Sequence, residues 1–280
     1  MSLLKTPRQQ AGVQQASTLA WELVNQLCEL ATEGVSTLAL SQQADKLLAK
    51  HRSTAPFKVF INENGQRFGF PICVSINHEV VNGPPSAERV LKLGDVVSIA
   101  LATEQNGHYG KAANTIIVGG ETHNPAIAEL ITAAQAVLLN IESDTNAYAT
   151  VQSITETLEL AVQNAGGIAI AETGGHGTGL AHQSEPSVYN RVADIPDNST
   201  ATVIVKGLCI VPMPMWTLPN TSDPSASVGW TLSSDGWTYE TKHGEPAIHV
   251  AKTIIFLSCF LSLNFYYTNL ESVDNHSSTN

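Results

Sequence analysis

Charge is sparse in this chain. Only 14% of its 280 residues are charged, and basic residues are the scarcer kind, 14 Lys and Arg against 25 Asp and Glu. The resulting formal net charge of −11 disfavours non-specific binding to nucleic acid or to an anionic lipid surface. Cysteine is scarce as well. Cys28, Cys73, Cys209 and Cys259 stand far apart without a CxxC pair, which excludes zinc-finger spacing and a dense disulfide framework. They read as buried free thiols in a reducing compartment. No stretch reaches the ~20 apolar residues of a membrane span. The nearest candidate, Ile254 to Tyr267, is too short and contains Ser258, Ser262 and Asn264; it reads as a buried strand and its continuation. The opening MSLLKTPRQQAG lacks the apolar core of a signal peptide, so the expected location is cytoplasmic. A Gly-rich phosphate loop and a low-complexity linker are also missing.

What is present suits a folded enzyme-sized domain. Hydrophobic residues make up 43% of the chain, enough to bury a full core. One domain is expected over residues 1–268, followed by a polar tail over 269–280 that ends NHSSTN. Residues 11–33 place Ala16, Leu19, Leu23, Leu27 and Leu30 at helical spacing. A second helix fits 36–51, capped by Ser36 or Thr37. Strands are expected at Phe57–Ile61, Pro71–Ile76, Asp95–Thr103 and Thr115–Val118. The order then repeats. Helices fit Asn124–Ile141 and Thr150–Ala165, and strands follow at Ile168–Ala171, Val203–Val211, Val228–Leu232 and Ile248–Leu257. Two rounds of helix, helix, strands predict two related halves, with helices packed on one curved, mainly antiparallel sheet. The fold class is α+β.

Three segments carry a resemblance: FPICVSINHEVVNG at 70–83, LKLGDVVSIALATEQNGHYGKAANTIIVG at 91–119 and GGHGTGLAHQSEP at 174–186. DGWTYETKHGEPAIHVAKTII at 235–255 is a weaker fourth. In order and spacing they resemble the type I methionine aminopeptidases over roughly residues 5–257. The resemblance implies the pita-bread fold, with two pseudo-symmetric halves. It also implies two divalent metals in the cleft between them, held by two Asp, one His and two Glu. Hard carboxylate ligands balance the dications and acidify the bridging water that attacks the peptide bond after the first methionine.

Carried over position by position, the resemblance puts Ala100 at the first Asp, Lys111 at the second, Val211 at the first Glu and Ala251 at the second. The metal-binding His is kept as His176. Alanine and valine have no donor atoms, and a lysine ammonium offers hydrogens and no lone pair. The two catalytic histidines match Asn82 and Gln183, with His182 at the adjoining pocket position. The expectation is therefore no metal, no cofactor and no cleavage of N-terminal methionine.

Three readings stay open. The first is a pseudoenzyme that binds a small polar molecule or a protein partner in or near the former cleft. The second is a repurposed, metal-independent enzyme with His176, His182 and Lys111 as acid/base candidates, suited to a small-molecule pathway such as specialised metabolism. The third is a metallo-aminopeptidase with a non-standard site, which needs some of Asp95, Glu104, Glu185, Asp235 and Glu245 to converge. Candidate ligand-binding residues are Asn82, Lys111, His176, His182, Gln183, His249 and Lys252. Lys111 either snorkels to solvent or replaces a lost metal charge, pairing with Glu185 or drawing an anionic group. Buried, it would also suit Schiff-base chemistry. His182 and His249 each have an ordinary core reading. The pair Ser184 and His182 lacks an orienting carboxylate. Met213 and Met215 read as packing, and Trp216, Trp230 and Trp237 as core or cleft wall. Asp194 and Asp197 read as a turn. The sequon at Asn198, Ser199 and Thr200 is a chance match.

Overall fold

Thr6 starts the first helix. Its side chain accepts from the Gln9 backbone N–H, and the Gln9 side chain accepts from the Thr6 N–H, a reciprocal cap with Pro7 at the first helical position. The computed structural model, which describes residues 3–197, 200–220 and 229–257, runs this helix, α1, over Pro7–Leu30. It begins and ends earlier than the expected 11–33, because the cap lies at Thr6 and the apolar stripe ends at Leu27 and Cys28. Ser36 caps α2, Thr37–Lys50. Four strands follow: β1, Ile72–Ile76; β2, Glu79–Val81; β3, Val96–Gln105; and β4, His108–Ile117. The segment expected as a strand from Phe57 is instead a short 3-10 helix, Pro56–Val59. Pro56 presets φ for a helical first position and cannot donate to a ladder.

The second round opens with α3, Pro125–Ser143, capped by Asn124, and α4, Val151–Asn164, capped by Thr150. Then come β5, Ile168–Ala169; β6, Gly174–Gly177; β7, Ser184–Tyr189; β8, Cys209–Val211; and β9, Met215–Thr217. Most of the expected strand Val203–Val211 is therefore loop. Past 229 lie β10, Trp230–Leu232; β11, Tyr239–Thr241; β12, Ala247–His249; β13, Ala251–Lys252; and β14, Ile254–Ile255. The expected single strand Ile248–Leu257 is thus broken in three, and each piece joins a different sheet. Val228, Asn198, Ser199 and the expected tail over 269–280 lie outside the described residues, as does Cys259.

The described strands form antiparallel sheets in the orders β1-β3-β4-β13, β14-β8-β6-β7, β12-β9-β5 and β10-β11-β2. This is the pita-bread architecture, α+β, with helix, helix, strands occurring twice. Each half has its own core. In the first, α1 lays Leu19, Leu23, Val24 and Leu27 against Ile72, Val97, Ile99 and Leu101 of the sheet. Each such leucine contributes about 1.5–3 kcal/mol by leaving water. In the second, Ile127, Leu130, Leu138, Ile154 and Leu158 close over Trp216, Ile248 and Phe256. α3 is long and apolar enough by length and composition to cross a membrane, yet its apolar face is spent on this core. A third cluster lies between the halves, made of Phe57, Phe68, Cys73, Ala100, Ala102, Ala113, Val211 and Ala251.

Candidate active site

The long hairpin β3–β4 builds the floor of the site. Ala100 pairs with Ala113 and Ala102 with Lys111. Cys73 of β1 continues the row on one side and Ala251 of β13 on the other. Opposed residues share a face, and so do residues two apart on a strand. Cys73, Ala100, Ala113, Ala251 and Lys111 thus face one way. Lys111 is fixed through its backbone: its N–H donates to Thr253 Oγ1 at 2.9 Å, and that hydroxyl donates back to the Lys111 carbonyl at 3.0 Å.

His176 comes from β6, beside Val211 of β8. Its two flanking glycines allow this. A Cβ at Gly175 would sit 1.9 Å from the Val211 carbonyl oxygen, and one at Gly177 would sit 2.3 Å from that of Glu185. His249, at the end of β12, has its backbone N–H held by Ser98 Oγ and Thr115 Oγ1, at 3.2 and 3.0 Å.

Together these elements enclose a cavity of about 260 Å³. Lys111, His176 and His249 line it with Asn82, Gln183, Cys73, Ala100 and Ala251. Phe57, Phe60, Phe68, Trp237, Met213 and Met215 supply its apolar wall. No carboxylate lines it.

Lys111 is only 7% exposed, so it does not snorkel. Its Nζ lies 2.8 Å from His176 Nε2 and 5.9 Å from the centre of the Phe57 ring. Glu185 is exposed and accepts from the Ser187 N–H, so the expected Lys111–Glu185 pair does not form. Among the described residues no carboxylate forms an ion pair with Lys111. Burial without a counter-charge pushes the Lys111 pKa down to about 7, opposed weakly by Cys73. His176 is driven down to about 4 by burial and then by Lys111. His249 falls to about 4 for the same two reasons. Burial raises Cys73 to about 12, against the pull of Lys111.

His182 stands behind the wall rather than in it. Its ring meets Phe60 edge-on at 4.7 Å and Phe57 at 5.8 Å. Neither ring nitrogen has a partner, and burial followed by Lys111 pushes its pKa down to about 2. Lys252 is not among the cavity's lining residues. It pairs with Glu142 and lies over the Trp21 ring at 5.6 Å. Because Lys252 is offset by one residue from Ala251, the pleat turns it to the other face. Met213 and Met215, expected only to pack, also line the cavity, as does Trp237; Trp216 is core. Phe57, Phe60 and Phe68 were not singled out by sequence, although Phe57 and Phe60 at a spacing of three after a proline are a readable helical pair.

The carboxylates that a non-standard metal site would need do not converge. Asp95 accepts from Asn77 and the Lys92 N–H, Glu104 from Thr54, Asp235 from Thr238 and Glu245 from Asn220. Among the described residues no group of three or more His, Cys, Asp and Glu is placed to hold a metal ion.

This architecture has close counterparts among known proteins. The sequence profile of metallopeptidase family M24 matches residues 11–255. The chain belongs to metallopeptidase family M24. Within it the chain is similar to methionine aminopeptidases. It is 31% identical to that of Aquifex aeolicus, over 90% of this chain and 93% of the relative. It is likewise 31% identical to that of Treponema pallidum, over 91% and 92%. The crystal structure of methionine aminopeptidase from Thermotoga maritima superposes with a TM-score of 0.78 at 26% identity, covering 91% of this chain and 96% of that one. The prolidase from Pyrococcus horikoshii shares the fold at a TM-score of 0.58 and 15% identity, over 92% of this chain and 64% of its own.

Proposed function

We propose that this M24 member does not cleave N-terminal methionine and uses its cleft as a metal-free pocket for a small polar molecule. One observation carries the reading. The positions matched to the family's five metal ligands, Ala100, Lys111, His176, Val211 and Ala251, converge on one cavity and its immediate wall. That convergence supports the position-by-position match made from the sequence. Only His176 among them has a lone pair to give. Two dications need several anionic oxygens, and the cavity offers amide oxygens from Asn82 and Gln183 and no carboxylate. An ammonium at Lys111 would further repel a dication at short range. These residues do not fit a dinuclear metal centre.

What the residues suit is a neutral to cationic pocket with apolar walls. Lys111 supplies hydrogen-bond donors, His249 a buried imidazole, and the phenylalanines and Trp237 a surface for an aliphatic or aromatic group. The Lys111–His176 contact favours the enzymatic form of this reading over a purely structural one, since a buried amine against an imidazole is a proton-transfer pair. The test is cleavage of a methionine-initiated tripeptide with added cobalt, manganese, iron or zinc. No cleavage above the no-protein rate is expected. Turnover that a chelator abolishes would overturn the proposal.

A further inference from the structure

Lys111 has a defined partner in His176. The His176 Nδ1 lies 2.7 Å from the Gly177 carbonyl oxygen. A carbonyl only accepts, so Nδ1 carries the hydrogen and Nε2 keeps its lone pair. That lone pair is what meets Lys111 Nζ at 2.8 Å. On the same cavity, His249 is 4% exposed and its Nε2 has no partner. The titratable groups whose electrostatics the amine influences are Cys73, His176, His182 and His249. None is a carboxylate, so nothing there holds Lys111 as an ammonium ion.

Resting on the metal-free reading above, we propose that Lys111 condenses with a small aldehyde or ketone to form an imine, with His176 as the base. The amine attacks the carbonyl carbon and a C–N bond forms as the C=O pair moves to oxygen. One Nζ proton passes to His176 Nε2. That proton reaches the alkoxide oxygen and gives the neutral carbinolamine; the second Nζ proton then follows the same route through His176 Nε2 to the hydroxyl, the C–O bond breaks, and water leaves as the nitrogen lone pair closes the C=N bond. The carbonyl compound and the amine give imine and water, with no oxidant or reductant needed. The walls select what the carbonyl carries. Phe57, Phe60, Phe68 and Trp237 take an aliphatic or aromatic substituent, and a volume of about 260 Å³ lies below the roughly 300–1,000 Å³ of drug-sized sites.

Reductive trapping tests this. The full chain is incubated at neutral pH with benzaldehyde or butanal and sodium cyanoborohydride, and the adducts are located by peptide mass spectrometry. The expected result is a single secondary amine at Lys111, formed at least ~10-fold faster than at exposed lysines such as Lys5 and Lys46. Lys111→Met removes it. His176→Gln, which keeps the amine, slows it by at least ~10-fold, toward the roughly 10²-fold lower end of the range usual for a general base; its fold is checked by circular dichroism. Adducts spread over exposed lysines, with Lys111 reacting no faster, would overturn the imine proposal while leaving the metal-free reading in place. Metal-dependent peptide cleavage would overturn that reading instead, so the two failures are distinguishable.

Discussion

Lys111 ties stability to pH in a direction opposite to that of an ordinary paired lysine. Its folded pKa of about 7 lies below the usual 10.5. Between those two values the unfolded chain binds the extra proton, so stability rises as pH climbs through that window. Below about pH 7 both states carry the proton and the burial cost is fully present. Denaturant midpoints should therefore increase from pH 7 to pH 9.5, and Lys111→Met should flatten that slope and raise stability at pH 7 by about 1–3 kcal/mol. Such gains follow when a buried charge gives way to an apolar group of similar shape. The histidines act at the other end. His176 and His249 fall from 6.5 to about 4, so the unfolded state binds more protons between those values and stability drops as pH falls through them. His182 adds a separate cost, two buried ring nitrogens without partners. His182→Phe places an aromatic ring among Phe57, Phe60 and Tyr109. It should stabilise by ~1 kcal/mol, read as a rise in the thermal midpoint.

At the scale of elements, β6 depends on glycine for close approach rather than for flexibility. Gly175→Ala would drive a methyl group into the Val211 carbonyl. The substitution should cost ~3 kcal/mol or more, seen by urea titration, and should displace His176 with it. Lys252 makes the contrasting case. Its side chain is 16% exposed and Glu142's is 36% exposed, a setting in which an ion pair is worth ~1 kcal/mol or less. Lys252→Met should leave the Lys111 trapping rate unchanged, because the residue faces away from the cavity.

The helices were legible because caps and apolar stripes are local signals: Ser36 caps where a cap was expected, and Asn124 and Thr150, where the next two helices were expected to start, are the caps of α3 and α4. The start of β4 was not. His108 to Ala113 contains Gly110, Ala112 and Ala113, which have little strand propensity, and they are strand because β3 pairs with them along its whole length. The segment after Ile248 read as one apolar run, and nothing local announces that Val250 and Thr253 break it between sheets.

For the whole molecule, motif position brought five of the seven candidate residues, Asn82, Lys111, His176, Gln183 and His249, to one cavity, and the cavity's geometry was not legible. The Lys111–His176 contact and the aromatic wall depend on the packing of one half on the other, across residues as distant as Phe57 and Trp237. The same distance explains Lys252: its neighbour Ala251 lines the cavity, and only the pleat of β13 decides which of the two points inward. The two halves retain the M24 framework, and the cavity between them is lined by an amine, imidazoles and no carboxylate. The proposed loss of the metal ligands is the central claim. Elemental analysis of the purified chain, before and after incubation with cobalt, manganese, iron and zinc and removal of the excess, tests it most directly. The account predicts well under one metal ion per chain, with no change in a His176→Ala variant. One or two ions per chain, lost together in that variant, would contradict it.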